Sequence, residues 1–146
     1  MDKLTLQYRY DDSHEDKSLP RDDFGRLSVQ IETERFRGKG GFWVRWQDVV
    51  AFGESLRTYP IAKDAPVETL WGYDTLEGDD VIIRIRIEPK DALGRLLASV
   101  EIADDHDRSQ RLKTSFRTTY AALDVFRQDI AVLMDQKLES AVLHGH

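Results

Sequence analysis

Val81-Ile82-Ile83-Arg84-Ile85-Arg86-Ile87-Glu88 is the stretch whose reading decides the fold. Val81, Ile83, Ile85 and Ile87 recur at every second position, with Arg84, Arg86 and Glu88 between them. A period of two puts the apolar set on one face of a β-strand and the charged set on the other. Pro89 closes the strand. Downstream, residues 94–103 repeat the pattern with Leu96, Ala98, Val100 and Ile102 inward, and residues 111–118 do so with Leu112, Thr114 and Phe116. Upstream, residues 67–74 place Val67, Thr69, Trp71 and Tyr73 together, and Glu77-Gly78-Asp79-Asp80 supplies a hairpin turn. Connections this short force antiparallel pairing, because a parallel neighbour needs a crossover of a dozen or more residues.

Further out, Leu4, Leu6, Tyr8 and Tyr10 mark a first strand. In residues 26–34, Leu27, Val29, Ile31 and Thr33 alternate with Arg26, Ser28, Gln30 and Glu32. Phe36-Arg37-Gly38-Lys39-Gly40-Gly41 then reads as turn or bulge, and residues 42–45 as a third strand. Residues 11–23 form an acidic loop with Pro20. The period changes over residues 47–59, where Val49, Phe52, Leu56 and Tyr59 share a helical stripe that Pro60 ends. Gly53 weakens this helix and predicts a close approach to a sheet. The last helix carries Leu123, Phe126, Ile130, Leu133 and Met134 on one side, with Thr118 or Thr119 as N-cap. The expected architecture is a single α+β domain spanning residues 1–146, in which two helices pack on one face of a largely antiparallel sheet of six or seven strands. Residues 1–24 are a strand plus the acidic loop, and residues 139–146 a frayed tail.

The chain has 146 residues, the size of one domain. It has no cysteine, which excludes disulfides, thiolate metal sites and a cysteine nucleophile. With 21 basic and 27 acidic residues the net charge is -6, which argues against nucleic acid as a partner. No secretory core or run of 18 apolar residues is present, so a cytoplasmic location and no membrane partner are expected. GxSxG, HExxH, Walker and GxGxxG patterns are absent, and Gly38-Lys39-Gly40-Gly41 leads into a strand rather than a helix N-terminus. His106 among Asp104, Asp105 and Asp107 reads as a solvated turn. The expectation is a non-enzyme with no catalytic residues, no cofactor and no metal.

Two surfaces stand out as partner sites. One is basic: Arg84, Arg86, Arg95, Lys113 and Arg117 share the outward phase of the late strands, and Trp43 and Leu97 join that phase. Arg and Trp are favoured at the energetic centres of interfaces. The other is acidic, formed by the loop of residues 11–23 with Asp11, Asp12, Glu15 and Asp16 and by the Asp104-Asp105-His106-Asp107 turn, where negative charge would steer a basic partner. The site residues expected to touch a partner are therefore Arg84, Arg86, Arg95, Arg117, Trp43, Asp11, Asp12, Glu15 and Asp16.

The run from Arg26 to Ile31, the Phe36-x-Gly-x-Gly-Gly-Phe42 segment and the helix with Val49, Phe52 and Leu56 resemble the WapI-like family of bacterial immunity proteins. The Gly94-led strand, residues 112–120 and Leu123-x-x-Phe126 extend the resemblance over about residues 25–136. The resemblance implies a small cytoplasmic protein that occludes a toxin domain, often of nuclease type, and implies no catalytic residues. Arg95 stands where that family often has histidine. Two other readings are open. One is a small-ligand or enzymatic domain with Trp43, Trp71 and Tyr73 lining its site. The other is a structural homo-oligomer, in the simplest case a homodimer, joined through Trp43 and Leu97.

Overall fold

The computed structural model describes residues 1–11 and 23–146. Among them the chain order is β1 (Lys3–Tyr10), β2 (Phe24–Glu32), β3 (Arg37–Arg45), α1 (Trp46–Ser55), β4 (Val67–Gly72), β5 (Val81–Pro89), β6 (Arg95–Ala103), β7 (Arg111–Thr119), α2 (Tyr120–Met134) and β8 (Ala141–His144). The α+β class, the antiparallel pairing and the two helices are as the patterning predicts. The strands divide, however, into two four-stranded sheets, ordered β3-β2-β1-β8 and β4-β5-β6-β7. Strand alternation is the same in one sheet or two, so it cannot mark the break. The break falls where α1 and the loop after it separate β3 from β4.

The two sheets bury their apolar faces against each other. Ile83, Ile85 and Ile87 are fully buried, as are Leu4, Leu6, Leu27 and Ile31 of the first sheet. The glycine run read as a turn is instead the interior of β3, and its glycines set the distance between the sheets. A Cβ on Gly38 would lie 2.5 Å from Leu112 Cδ2, and one on Gly40 2.5 Å from Ile102 Cγ2. Real atoms do not approach so closely, so β3 crosses β6 and β7 only because these two positions lack side chains.

α2 buries the expected five residues, Leu123, Phe126, Ile130, Leu133 and Met134. The Thr119 hydroxyl caps it, accepting from the Ala122 amide at 3.1 Å. α1 stops at Ser55, short of the predicted end, and Tyr59 is exposed. Gly53 does mark a close approach, but to the other helix: a Cβ there would lie 2.8 Å from Ile130 Cγ2. Phe52 and Phe126 meet edge to face at 6.4 Å across the same contact.

The tail expected to fray is a strand. β8 pairs with β1, with Leu4 opposite Leu143 and Leu6 opposite Ala141. Leu143 and Ala141 are fully buried. Four residues are too few to display a period, which is why the strand escapes sequence reading.

Candidate functional site

The outward face of the first sheet follows from its registers. Its cross-strand rows are Arg37–Glu32–Lys3–His144, Lys39–Gln30–Thr5–Val142, Gly41–Ser28–Gln7, Trp43–Arg26–Arg9 and Arg45–Phe24. Pairing thus gathers Lys3, Arg9, Arg26, Arg37, Lys39 and Arg45 onto one surface, where the strands themselves supply a single carboxylate, Glu32. Three of these cations have neighbours: Arg26 with Asp105 at 2.9 Å, Arg37 with Glu32 at 3.6 Å and Arg45 with Asp23 at 4.0 Å. Lys3, Arg9 and Lys39 have no ion pair among the described residues. Between the charges stand Thr5, Gln7, Ser28 and Gln30, whose side chains are hydrogen-bonding groups of neutral charge.

Trp43 and Phe24 add aromatic surface, 48% and 45% exposed. The Arg26 guanidinium lies 6.0 Å from the Trp43 ring centre, at the outer limit of a cation–π contact. Over the edge of β3 this surface runs into a groove of about 640 Å³ between β3 and α1 on one side and β4 on the other. Phe24, Phe42, Trp43, Trp71 and Tyr73 line it. The three aromatic residues singled out for a ligand site, Trp43, Trp71 and Tyr73, are therefore brought together. Tyr73 is held from both sides: its ring packs on Phe42 at 5.2 Å, and the Arg108 guanidinium stacks 4.0 Å from its centre. Arg108 in turn pairs with Asp80 at 2.8 Å. Hydrogen bonds from the Thr75 hydroxyl and amide, then the Arg108 charge, hold the Asp80 carboxyl below its ordinary range.

A second groove, of about 460 Å³, lies on the same outward face. The turn after β6 reaches over the β3 edge here and sets Asp104 and Asp105 against the sheet. The Tyr73 hydroxyl anchors this turn by donating to the Asp105 carbonyl at 3.0 Å. The hydrogen bond from Arg26 holds the Asp105 carboxyl below its ordinary range, so it is ionised.

Arg84, Arg86, Arg95 and Arg117 do share a face, as their phase predicts, but it is the outward face of the second sheet. Trp43 is not with them, because it belongs to the first sheet. Around Arg84, Arg86 and Arg111 that face is internally compensated. Glu68 lies 3.7 Å from Arg84 and 3.6 Å from Arg86, Glu88 lies 3.4 Å from Arg86, and Glu101 lies 2.8 Å from Arg111. Arg95 pairs with Asp91. Lys113 and Arg117 are left without an ion pair among the described residues. Of the acidic candidates, Asp11 is half-buried, and Asp12, Glu15 and Asp16 lie outside the described residues. Sequence reading missed the first-sheet surface, although its signal was present: Arg26, Ser28, Gln30 and Glu32 alternate outward. Without the β1–β2–β3 registers nothing says that Lys3, Arg9, Lys39 and Arg45 stand beside them.

The architecture is that of two four-stranded antiparallel sheets with two helices, and it has precedents among solved structures. One is WHY1 from Arabidopsis thaliana, with a TM-score of 0.53 at 16% identity, covering 91% of this chain and 78% of that one. Another is WHY3 from Arabidopsis thaliana, with a TM-score of 0.51 at 14% identity, covering 91% and 82%. A third is the plant transcriptional regulator PBF-2, with a TM-score of 0.47 at 14% identity, covering 92% and 76%. No family model matches the chain, and no curated protein does. At these identities the likeness to WHY1 and WHY3 establishes the fold.

WHY1 and WHY3 overturn the expectation of a bacterial immunity protein with a toxin partner, since the architecture leads to these plant proteins instead. The exclusion of nucleic acid falls with it, for a physical reason. A net charge of -6 averages over the whole surface, whereas a polyanion meets one face. Among the described residues no helix is long and apolar enough to cross a membrane.

Proposed function

We propose that the protein binds single-stranded nucleic acid on the outward face of the first sheet, with unpaired bases entering the aromatic groove beside it. The observation that carries this reading is the segregation of Lys3, Arg9, Arg26, Arg37, Lys39 and Arg45 onto one face of an acidic protein. Phosphates require cations that are not already neutralised, and Lys3, Arg9 and Lys39 meet that condition among the described residues. Trp43 and Phe24 supply exposed rings at the point where the basic face turns into the groove. Stacking on such rings serves every base and needs the base unpaired. A four-stranded platform is also too broad for the major groove of a duplex, which admits a helix or a two-stranded ribbon. The rings and cations together therefore favour a single strand over a duplex.

Fluorescence anisotropy with a labelled thymidine oligonucleotide tests this. At low salt the wild-type protein should bind the single strand more tightly than the matched duplex. Trp43→Ala should weaken binding by the loss of one stacked base, about 1–3 kcal/mol. Because the ring is half exposed, that variant should keep its melting temperature. Absence of oligonucleotide binding at low salt rejects the reading.

A further inference from the structure

The groove under the turn after β6 has a composition that the phosphate-binding face does not require. A surface built only to hold a polyanion gains nothing from carboxylates, yet Asp104 and Asp105 both line this groove. The chain enters this turn close against β3. A Cβ on Gly40 would lie 3.3 Å from the Ala103 carbonyl oxygen, and one on Gly41 3.1 Å from Arg26 Nε. Asp105 is tied down by Arg26. Asp104 is not: one of its carboxylate oxygens accepts from the His106 amide at 3.3 Å, and the other has no hydrogen-bond partner among the described residues. Lys39 and Gln30 line the same groove, and their ammonium and amide are likewise uncommitted among the described residues. They are neighbours, since Gln30 and Lys39 are register partners.

A carboxylate that shares a groove with an ammonium and a carboxamide is a defined hydrogen-bond code. The carboxylate only accepts, and takes two parallel N–H groups best. The ammonium only donates. Among the common bases, guanine alone offers two adjacent donors, N1–H and the N2 amine, beside an acceptor, O6. Adenine and cytosine each present one exocyclic amine beside a ring acceptor, which a carboxylate repels. Thymine and uracil present a single donor between two acceptors.

We propose that this groove is a guanine-reading site, in which Asp104 accepts from guanine N1–H and N2–H while Lys39 and Gln30 donate to O6. The proposal rests on the nucleic-acid reading above and adds base selectivity to it. It makes Asp104 a specificity-determining residue, whereas Lys3, Arg9 and the other cations outside the groove bind any strand.

The test compares a thymidine oligonucleotide with the same oligonucleotide carrying one central dG, dA, dC or deoxyinosine, by anisotropy at fixed salt. The wild-type protein should prefer the dG strand over the thymidine strand by about tenfold, within the discrimination of a bidentate base contact. Deoxyinosine, which lacks the N2 amine, should lose most of that preference. Asp104→Asn turns one acceptor into a donor that opposes guanine N–H. It should abolish the preference while leaving affinity for the plain thymidine strand undiminished. Equal binding of all strands, or a dG preference that survives Asp104→Asn, overturns the guanine site and leaves the nucleic-acid reading standing. Failure of every strand to bind overturns both.

Discussion

Gly40 shows how much one absent side chain decides here. Its Cα faces inward at the crossing of the two sheets, and any Cβ would strike Ile102 at 2.5 Å. Gly40→Val should destabilise the protein by about 1–3 kcal/mol, the cost of forcing extra methyl groups into a packed core. Chemical denaturation would read this as a lower midpoint, and an unchanged midpoint would mean the sheets are not apposed at this point. Asp105 makes a different demand. Its carboxyl is held below the ordinary range, first by the Arg26 hydrogen bond, so its folded-state pKa is below its unfolded one. Such a group contributes stability above the unfolded pKa and loses it as pH falls through the folded value. Wild-type protein should therefore lose stability on acidification below about pH 4, the ordinary aspartate range, and Asp105→Asn should lose less over that interval. A parallel fall in both proteins would show that the Arg26–Asp105 pair contributes nothing. Neither residue was readable for these roles in the sequence. Gly40 looks like turn chemistry because glycine is the same residue in a turn and at a close contact. The Arg26–Asp105 bond joins positions 79 residues apart.

The elements were legible to different degrees, and the differences have physical causes. α2 was read down to its buried stripe and its cap because 15 residues display four turns of period 3.6. β5, β6 and β7 were legible because each has one buried face and tight turns. Their assignment to a separate sheet was not, because sheet membership is a matter of pairing rather than of pattern. β8 was missed altogether, yet it closes the free edge of β1 and carries two fully buried side chains. Leu143→Ala should accordingly cost about 2–5 kcal/mol, the range for truncating a buried leucine. Denaturant unfolding checks this, with Val142→Ala on the outward side of the same strand as the control, expected to change stability little. If Leu143→Ala were as mild as the control, β8 would be an ornament on the sheet rather than part of the core. The same distinction explains the candidate site. Its aromatic residues were legible individually, and the reading of Trp43, Trp71 and Tyr73 as one lining came from their types. The basic face was not legible, because it exists only once β1, β2 and β3 are laid side by side.

Taken as one object, the protein is an anion whose two sheet faces treat charge differently. On the second sheet, arginines and glutamates alternate across strands and neutralise one another, so Arg84 and Arg86 serve mutual compensation. On the first, Lys3, Arg9 and Lys39 are left with unspent charge among the described residues. An acidic body with a basic face orients a polyanion as it approaches, since the net charge repels it and the basic face attracts it. Binding by that face has a thermodynamic signature that an aromatic or polar contact lacks. Each phosphate neutralised releases counterions, so the logarithm of the affinity falls linearly with the logarithm of salt concentration, by about 0.7 per phosphate on a single strand. On the plain thymidine strand, where Lys39 has no guanine O6 to meet, Arg9→Gln and Lys39→Gln should each flatten that line by about 0.7 and weaken binding at low salt more than at high salt. Trp43→Ala should instead displace the line without changing its slope, because stacking releases no ions. Lys113→Gln, an equally uncompensated cation on the other sheet, should leave both slope and affinity as they are. A slope lowered equally by Lys113→Gln and Lys39→Gln would mean that the strand does not choose between the faces, and the assignment of the first sheet as the binding surface would fall.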